Sequence, residues 1–319
     1  MQSTPSNSQY ENPKTDISTM TVAIILATYN GQVWIHEQIQ SVIAQTHSCW
    51  RLFIRDDLST DCTQGLAQSY SLADSRITVL PPPLVRSGSA AANFLATLML
   101  LQPQNYDFIA FCDQDDIWVP DKLTRAVATM KEASADAYSC DLIAFNNEKK
   151  TAQYIAKNPQ QSIQDYLFQG ASAGCTYVLS RKAVELVCQK LSQSQSMNLA
   201  DKSHDWLVYA ICRSHGLTWK HDASAQVFYR QHSSNVYGAM QQWTGALKKL
   251  RLMRSGWYRR HILWNAGFLQ RSEQDERVLV RLLRFQLADR CWLALRAARF
   301  RRDPAQALIL ASIILLGWL

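Results

Sequence analysis

Apolar and polar positions alternate along this chain in two rhythms. "TVAIILATYNG" is a β-branched apolar run that stops at a turn signal, which predicts a buried strand over Val22–Ala27. "VWIHEQIQSVIAQT" then places Trp34, Ile35, Ile39, Val42 and Ile43 at helical spacing. "WRLFIRDD" predicts a second strand, with Ser59 as the N-cap of a helix running through Tyr70. "RITVL" predicts a third strand, and "GSAAANFLATLMLL", rich in Ala and Leu, a helix. "DFIAFC" predicts a fourth strand, followed by Pro120 at a helix start and Asp121 in its first turn. Further on come "GCTYVLS" (strand), "RKAVELVCQKL" and "DWLVYAICRS" (helices) and "AQVFYRQH" (strand). Strands alternating with helices predict an α/β sheet with helices on both faces. After about Gly238 the strand pattern stops, and basic helical segments run to Arg302. The last fifteen residues, "AQALILASIILLGWL", carry no charge but fall short of the ~20 that a spanning helix needs. The first twenty are polar with no apolar core, which predicts a mobile tail and no signal peptide.

Composition sharpens this picture at one end of the chain. The 319 residues are 47% hydrophobic and 18% charged, as in a globular protein, with a net charge of +7. Thr244 to Arg302 holds 15 Lys and Arg against 4 Asp and Glu, so the rest is slightly acidic. Basic modules bind nucleic acid or anionic lipid, and no nucleic-acid motif accompanies this charge, so nucleic acid is not an expected partner. Arg is interleaved with Trp243, Trp257, Trp264 and Trp292 at helical spacing, a pattern of helices lying in a membrane interface. Helices packed on the preceding domain are the alternative. The expected organisation is a disordered tail over 1–20, an α/β domain over 21–240 and a basic amphipathic region over 241–319. The eight cysteines include no CxxC pair, and most sit in apolar runs, which fits a reducing cytoplasm better than a disulfide framework or a zinc site.

In open α/β sheets, ligands bind at the carboxyl ends of strands. Four polar clusters are placed there or at a helix start: "ATYNG", "RDDLS", "CDQDD" and "SHDW". In "FIAFCDQDDIWVPDKL" an apolar run ends in Asp113, Asp115 and Asp116. Two carboxylates ~4 Å apart repel by roughly 4 kcal/mol at an effective dielectric of about 20. Converging groups therefore raise one another's pKa or recruit a cation, and hard carboxylate oxygens suit Mg²⁺ or Mn²⁺ bridged to phosphate. A solvated turn in which an Asp caps the next helix is the alternative. Asp56 and Asp57 could accept a nucleobase N–H or cap the helix at Ser59. Thr28 precedes an Asn-Gly turn, an ordinary turn signal. Asp205 is either a helix cap or a general base held rigid by packing of Trp206. Arg230, His232 and Asn235 follow a strand; Arg and His could clamp a diphosphate, or be ordinary surface groups.

Taken in order, "VAIILATYNG", "IHEQIQSVIAQT", "LFIRDDLSTDCT", "GSAAANF", "IAFCDQDDIWVPDKL", "GCTYVLSRKAVEL", "HDWLVYAI" and "YRQHSSNVYG" resemble inverting nucleotide-sugar glycosyltransferases of family 2. They run from about Val22 to Gly238, and "FCDQDDIW" with "YRQH" looks like the rhamnosyltransferase branch that builds bacterial surface polysaccharides. The resemblance implies the GT-A fold, a Rossmann-like, mostly parallel mixed sheet with helices on both faces, followed here by the basic helical region. It implies that Thr28, Asp56 and Asp57 hold base and ribose of a nucleotide-diphosphate sugar, with Asn93, Arg230 and His232 close to the donor. Asp113 and Asp115 match the DxD pair, with Asp115 the direct ligand of Mg²⁺ or Mn²⁺. Asp116 and Trp206 would face the donor sugar or the acceptor, and Asp205 matches the catalytic base. The acceptor would be a glycan or lipid-linked hydroxyl, reached by docking at the cytoplasmic face of a bacterial inner membrane through the basic region.

The chain departs from the family pattern in three places. Leu58 replaces a turn glycine in "DDLSTD", which predicts a different local backbone. Arg86 replaces Asn in "RSGSAAANF", and Leu207 replaces the second aromatic of the usual "HDWW". A nucleotidyltransferase, which also uses carboxylate-bound metal, would need a glycine-rich phosphate loop after the first strand, and "ATYNGQVW" has none. A non-catalytic, membrane-recruited sugar-binding module has no need of Asp113, Asp115 and Asp205 together.

Overall fold

The computed structural model describes residues 16–157, 160–193, 199, 201–232 and 254–319. The first half of the sheet follows the predicted alternation: β1 (Val22–Thr28), α1 (Ile35–Ile43), β2 (Trp50–Asp56), α2 (Thr63–Ala73), β3 (Ile77–Val79), α3 (Ala90–Leu100) and β4 (Phe108–Asp113). β3, β2, β1 and β4 lie side by side and parallel. β1 is buried at all seven positions, which is why it reads as an unbroken apolar run rather than an alternating one.

The second half is antiparallel at its seam. β5 (Ile117–Trp118), α4 (Lys122–Glu132), β6 (Ala137–Asn146), β7 (Thr151–Ile155), β8 (Val178–Ser180), α5 (Arg181–Ser192), α6 (His204–Ser214) and β9 (Trp219–Arg230) follow in sequence. The sheet order among the described residues is β3-β2-β1-β4-β8-β6-β9-β5, with β7 also on β6. β8 runs antiparallel to both β4 and β6, while β6 and β9 pair in parallel. This is the mixed α/β sheet expected.

Local expectations fail in two places. Ser59 does not cap α2, which starts at Thr63 after Cys62. Its hydroxyl instead donates to Asp56 Oδ1 at 2.5 Å and accepts from Asn30 N–H at 2.8 Å, a tertiary use that outcompetes the local cap. The end of the supposed tail is part of the fold: Ile17 and Met20 pack on the core beneath the sheet, and the Met20 carbonyl lies 2.8 Å from His47 Nε2.

The C-terminal helices α7 (Trp257–Asn265), α8 (Glu273–Arg284), α9 (Leu287–Ala294), α10 (Ala297–Phe300) and α11 (Pro304–Leu315) extend the same core. Ile262, Val278, Leu282, Phe300 and Ile314 are fully buried in one cluster with Ile25, Phe111 and Leu207. Two buried carboxylates tie these helices down. Asp165 meets Arg302 Nε at 2.9 Å, Arg213 Nη1 at 3.3 Å and the Tyr209 hydroxyl at 2.9 Å. Asp275 accepts from Gln164 Nε2 at 2.9 Å and the Tyr166 hydroxyl at 2.8 Å. The packing alternative therefore holds for the described helices. An outer apolar face remains, with Leu308 72% and Ile309 58% exposed. No helix among the described residues is long and apolar enough to cross a membrane. The 240/241 boundary, Trp243 and Asn235 lie outside the described residues.

Candidate active site

Register places the first carboxylates. In the parallel ladder Thr28 pairs with Asp56 and Ala27 with Asp113, so the carboxyl ends of β1, β2 and β4 form one rim. The Thr28 hydroxyl donates to Asp56 Oδ1 at 2.9 Å, and Ser59 N–H donates to Asp56 Oδ2 at 2.8 Å. Asp57 turns towards the next loop, where it accepts from Ser87 N–H at 2.6 Å and Gly88 N–H at 3.2 Å. Directly after these carboxylates Leu58 keeps a left-handed φ of 62°. The backbone thus retains the conformation a glycine favours, contrary to the expectation from its side chain. Arg86 lies over the Tyr29 ring, 3.6 Å from its centroid, and 4.0 Å from Asp57. The Gln114 amide clasps Tyr29, accepting from its N–H at 2.9 Å and donating to its carbonyl at 3.0 Å. This clasp runs against Gly31, where any Cβ would collide with the Gln114 amide.

The acidic cluster sits where β4 ends. Oxygens of Asp113 and Asp116 and the Cys175 sulfur all lie within 4.8 Å of one another. Burial, then the charges of Asp115 and Asp205, push the Asp113 carboxyl up to about 8. Burial, Asp115 and Asp113 raise Asp116 well above the usual carboxylate range. Asp116 accepts from Arg230 N–H at 3.1 Å through Oδ1, while its buried Oδ2 lacks a hydrogen-bond partner. Asp115 Oδ2 lies 2.7 Å from His232 Nε2, and that imidazole stacks on Trp34 with centroids 4.1 Å apart. Crowded carboxylates with raised pKa values and an orphaned oxygen make a donor set of the kind a hard divalent cation neutralises.

Asp205 lies in the first turn of α6. Its Oδ1 accepts from its own helix at Trp206 N–H (2.7 Å) and from the Ser203 hydroxyl. Beneath it the His204 ring stacks on Phe94 at 4.5 Å and meets the edge of Phe111 at 5.4 Å. A Cβ on Gly174 would strike His204 and come within 3.3 Å of Asp205 Cβ, so a glycine is required where that loop crosses the helix start. The Asp205 charge is felt at Asp113, so the candidate base lies within electrostatic reach of the acidic cluster.

The family model described as Glycosyl transferase family 2 matches residues 23–183. The chain belongs to that family. It is similar to dTDP-rhamnosyl transferase RfbG of Shigella flexneri, 34% identical over 241 residues that make up 74% of this chain and 82% of that protein. It is similar to UDP-Glc:alpha-D-GlcNAc-diphosphoundecaprenol beta-1,3-glucosyltransferase WfgD of Escherichia coli, 32% identical over 161 residues, 50% of this chain and 60% of that protein. Among solved structures, TarS 1-349 of S. aureus in complex with UDP superposes with a TM-score of 0.58 at 14% identity, covering 94% of this chain and 89% of that one. Mannosyltransferase PcManGT from Pyrobaculum calidifontis, in complex with GDP-Man and Mn²⁺, gives 0.51 at 14% identity over 93% of this chain and 74% of that one. At such identity the structural likenesses speak to the fold, which is GT-A. The chain is a glycosyltransferase.

In this family 2 enzyme the structure brings Thr28, Asp56 and Asp113 to one rim of the sheet, with Asp115 and Asp116 in the turn that follows and Asp205 within electrostatic reach of Asp113, while Asp57 turns to the next loop and three other expected site residues are put to structural use. Asn93 is 2% exposed; its amide donates to the Arg55 carbonyl and accepts from the Arg55 guanidinium, both at 3.0 Å. The Arg230 guanidinium donates to the Asp115 carbonyl at 2.8 Å and to Glu37, and lies over the Phe145 ring. Trp206 is 5% exposed; it donates Nε1–H to the Tyr166 carbonyl at 2.9 Å and stacks on His261. Sequence reasoning missed Gln114, Tyr29, Trp34 and Cys175. Gln114 sits inside the DxD stretch, and its position between the two carboxylates was the available signal.

Proposed function

We propose that this protein transfers a sugar, with inversion, from a nucleotide-diphosphate sugar to a hydroxyl of a lipid-linked or glycan acceptor in bacterial surface polysaccharide assembly. The carrying observation is that Asp205 lies within electrostatic reach of Asp113, whose strand end forms one rim with those of Thr28 and Asp56. The similarity to a dTDP-rhamnosyl transferase supports rhamnose as the sugar. The similarity to enzymes named for a diphosphoundecaprenol-linked acceptor supports a lipid-linked one.

In this reading Thr28, Asp56 and Asp57 hold base and ribose, and Arg86 closes over Tyr29 at the same rim. The Asp205 carboxylate takes the proton of the acceptor hydroxyl as its oxygen attacks the anomeric carbon. The bond from that carbon to the diphosphate oxygen breaks in the same displacement, and the diphosphate leaves with its electron pair. Inversion follows because attack and departure are on opposite faces. Asp113 and Asp115 would hold Mg²⁺ or Mn²⁺, which supplies positive charge for the diphosphate. His232 orients Asp115, and Asp116 lines the floor. Residues 21–240 carry this chemistry, and within the C-terminal region of 241–319 the described helices, from Trp257 to Leu315, pack on the same core with the exposed face of α11 turned to the cytoplasmic leaflet of the inner membrane. Incubating the protein with dTDP-rhamnose or UDP-glucose, Mn²⁺ and a polyprenyl-diphosphate sugar pool tests the reading. Sugar transfer that is lost in Asp205→Asn is expected; absence of both transfer and donor hydrolysis across a nucleotide-sugar panel overturns it.

A further inference from the structure

The turn that follows β1 is held from two sides. On one side the β2–α2 loop grips it: the Ser59 hydroxyl accepts from Asn30 N–H, Asn30 Oδ1 accepts from Thr60 N–H and the Thr63 hydroxyl accepts from Gly31 N–H, each at 2.8 Å. On the other side the acidic turn after β4 reaches across with one side chain. Gln114 Oε1 accepts from Tyr29 N–H at 2.9 Å, and Gln114 Nε2–H donates to the Tyr29 carbonyl at 3.0 Å. One amide thus answers both main-chain polar groups of Tyr29. The sheet ladder between β1 and β4 ends with the pair Ala27 and Asp113, and the clasp carries that alignment past the last rung.

Gly31 answers to this clasp rather than to a backbone need. Its φ is not positive, so the conformation is one that alanine adopts freely. Yet a Cβ there would collide with Gln114 Oε1 and lie 2.6 Å from Gln114 Cδ and 3.3 Å from Nε2. The Gln114 amide is the end of a flexible side chain, so it would swing aside and release Tyr29. The far end of the same turn meets the acidic stretch a second time. The Gly31 carbonyl accepts from Trp34 N–H at 2.9 Å, and the Trp34 ring stacks on His232, which lies 2.7 Å from Asp115. Residues 29–34 are therefore tied to residues 113–115 at both ends.

We propose that Gln114 is a positioning residue that fixes the spacing between the nucleoside rim of Thr28 and Asp56 and the cation-holding carboxylates Asp113 and Asp115. This rests on the glycosyltransferase reading above. Gln114 stands between those two carboxylates in sequence, and its amide is spent on the residue that follows Thr28, so one side chain sets both turns in step. A nucleoside diphosphate that touches the rim with its base and ribose and the cation with its phosphates needs that spacing. A ligand confined to the rim does not. Holding the two halves in register before the ligand arrives raises the affinity of the spanning ligand alone.

The test compares spanning ligands with ligands that stay at the rim. dTDP and UDP with Mn²⁺, and thymidine and uridine without it, are titrated into wild type, Gln114→Ala, Gly31→Ala and the double variant. Gln114→Ala should weaken the better-bound diphosphate about tenfold, the scale of two net hydrogen bonds, and its nucleoside by less than about twofold, because Ser59, Thr60 and Thr63 still hold the turn. Gly31→Ala should reproduce this loss. Its effect should vanish in the Gln114→Ala background, where the added Cβ has no amide to displace. Four results overturn the role: equal diphosphate affinity in wild type and Gln114→Ala, a nucleoside weakened as much as its diphosphate, a Gly31→Ala effect that adds in full to Gln114→Ala, or a wild type that binds neither diphosphate. Clasp-dependent diphosphate binding in a protein that transfers sugar from no donor would instead refute the glycosyl-transfer reading and leave the positioning role standing.

Discussion

Trp206 and His261 lie face to face, their ring centroids 4.6 Å apart and their planes 5° from parallel. Trp206 follows the candidate base on α6, and His261 belongs to α7, so the helix that aims Asp205 is buttressed by the C-terminal region. Tyr258 stacks on the same indole at 5.3 Å, and Phe300 stacks on Phe168 at 4.2 Å. Removing residues 254–319 would uncover these rings and leave buried Asp165 without Arg302, and losing a partner of a buried ion pair alone costs about 3–5 kcal/mol. The truncated protein is expected to lose its cooperative thermal transition and expose apolar surface to a dye. A truncated protein that melts as the full chain does would make these helices dispensable.

Asp205→Asn keeps the size and the Trp206 N–H contact while removing the basic oxygen. Sugar transfer should fall by about 10²–10⁴, the usual contribution of a positioned general base. Donor affinity should stay within a factor of two or so, because the nucleotide is held at the β1–β2 rim. Near-normal turnover in the variant would remove Asp205 from the chemistry.

What the sequence disclosed follows from how local each signal was. β1, β2 and β4 were legible because buried parallel strands are continuous apolar runs, and Thr28, Asp56 and Asp113 were legible as their ends. β6 was hidden because its core positions include Ser139 and Asp141, whose polar groups are satisfied by residues outside the strand, His221 and Trp219 on β9 among them. The basic helices were ambiguous for a related reason. Arginines at helical spacing suit a lipid surface, yet Arg302 turns inward to the Gly170 and Ala171 carbonyls and Arg301 to Gln169 and Tyr258, partners that no local pattern reveals. Arg230 and Trp206 were assigned to ligands by their place in a motif, but their partners Glu37 and Tyr166 come from distant segments.

Leu58 is expected to be a site where a smaller residue stabilises. Its φ of 62° costs a non-glycine residue about 1–2 kcal/mol, and at 37% exposure its side chain is not part of the buried core. Glycine's greater freedom in the unfolded chain offsets about 0.5–1 kcal/mol of that gain. Leu58→Gly should therefore raise the melting temperature by roughly 1–3 °C. A lower melting temperature would show that the Leu58 side chain contributes more through contacts than its backbone costs.

The acidic cluster makes a prediction in pH. Asp113 is raised to about 8 by burial and by Asp115 and Asp205. A carboxyl raised in the folded state is protonated there while ionised in the unfolded chain. Its contribution to stability is therefore greatest below the unfolded value near 3.8 and declines as the pH rises towards 8, where it levels off. A divalent cation bound at Asp113 and Asp115 must displace that proton, so its affinity should rise with pH up to about 8, by at most about tenfold per unit. Melting curves of the wild type at pH 6 and pH 8, with and without Mn²⁺, separate the two effects. Without the ion the protein should be less stable at pH 8 as far as this group decides, and the increment from a fixed Mn²⁺ concentration should be larger at pH 8. In Asp113→Asn the pH dependence of the increment should flatten, because the displaced proton is gone. An increment that is equal at both pH values in the wild type, or absent altogether, would mean that Asp113 does not face a cation.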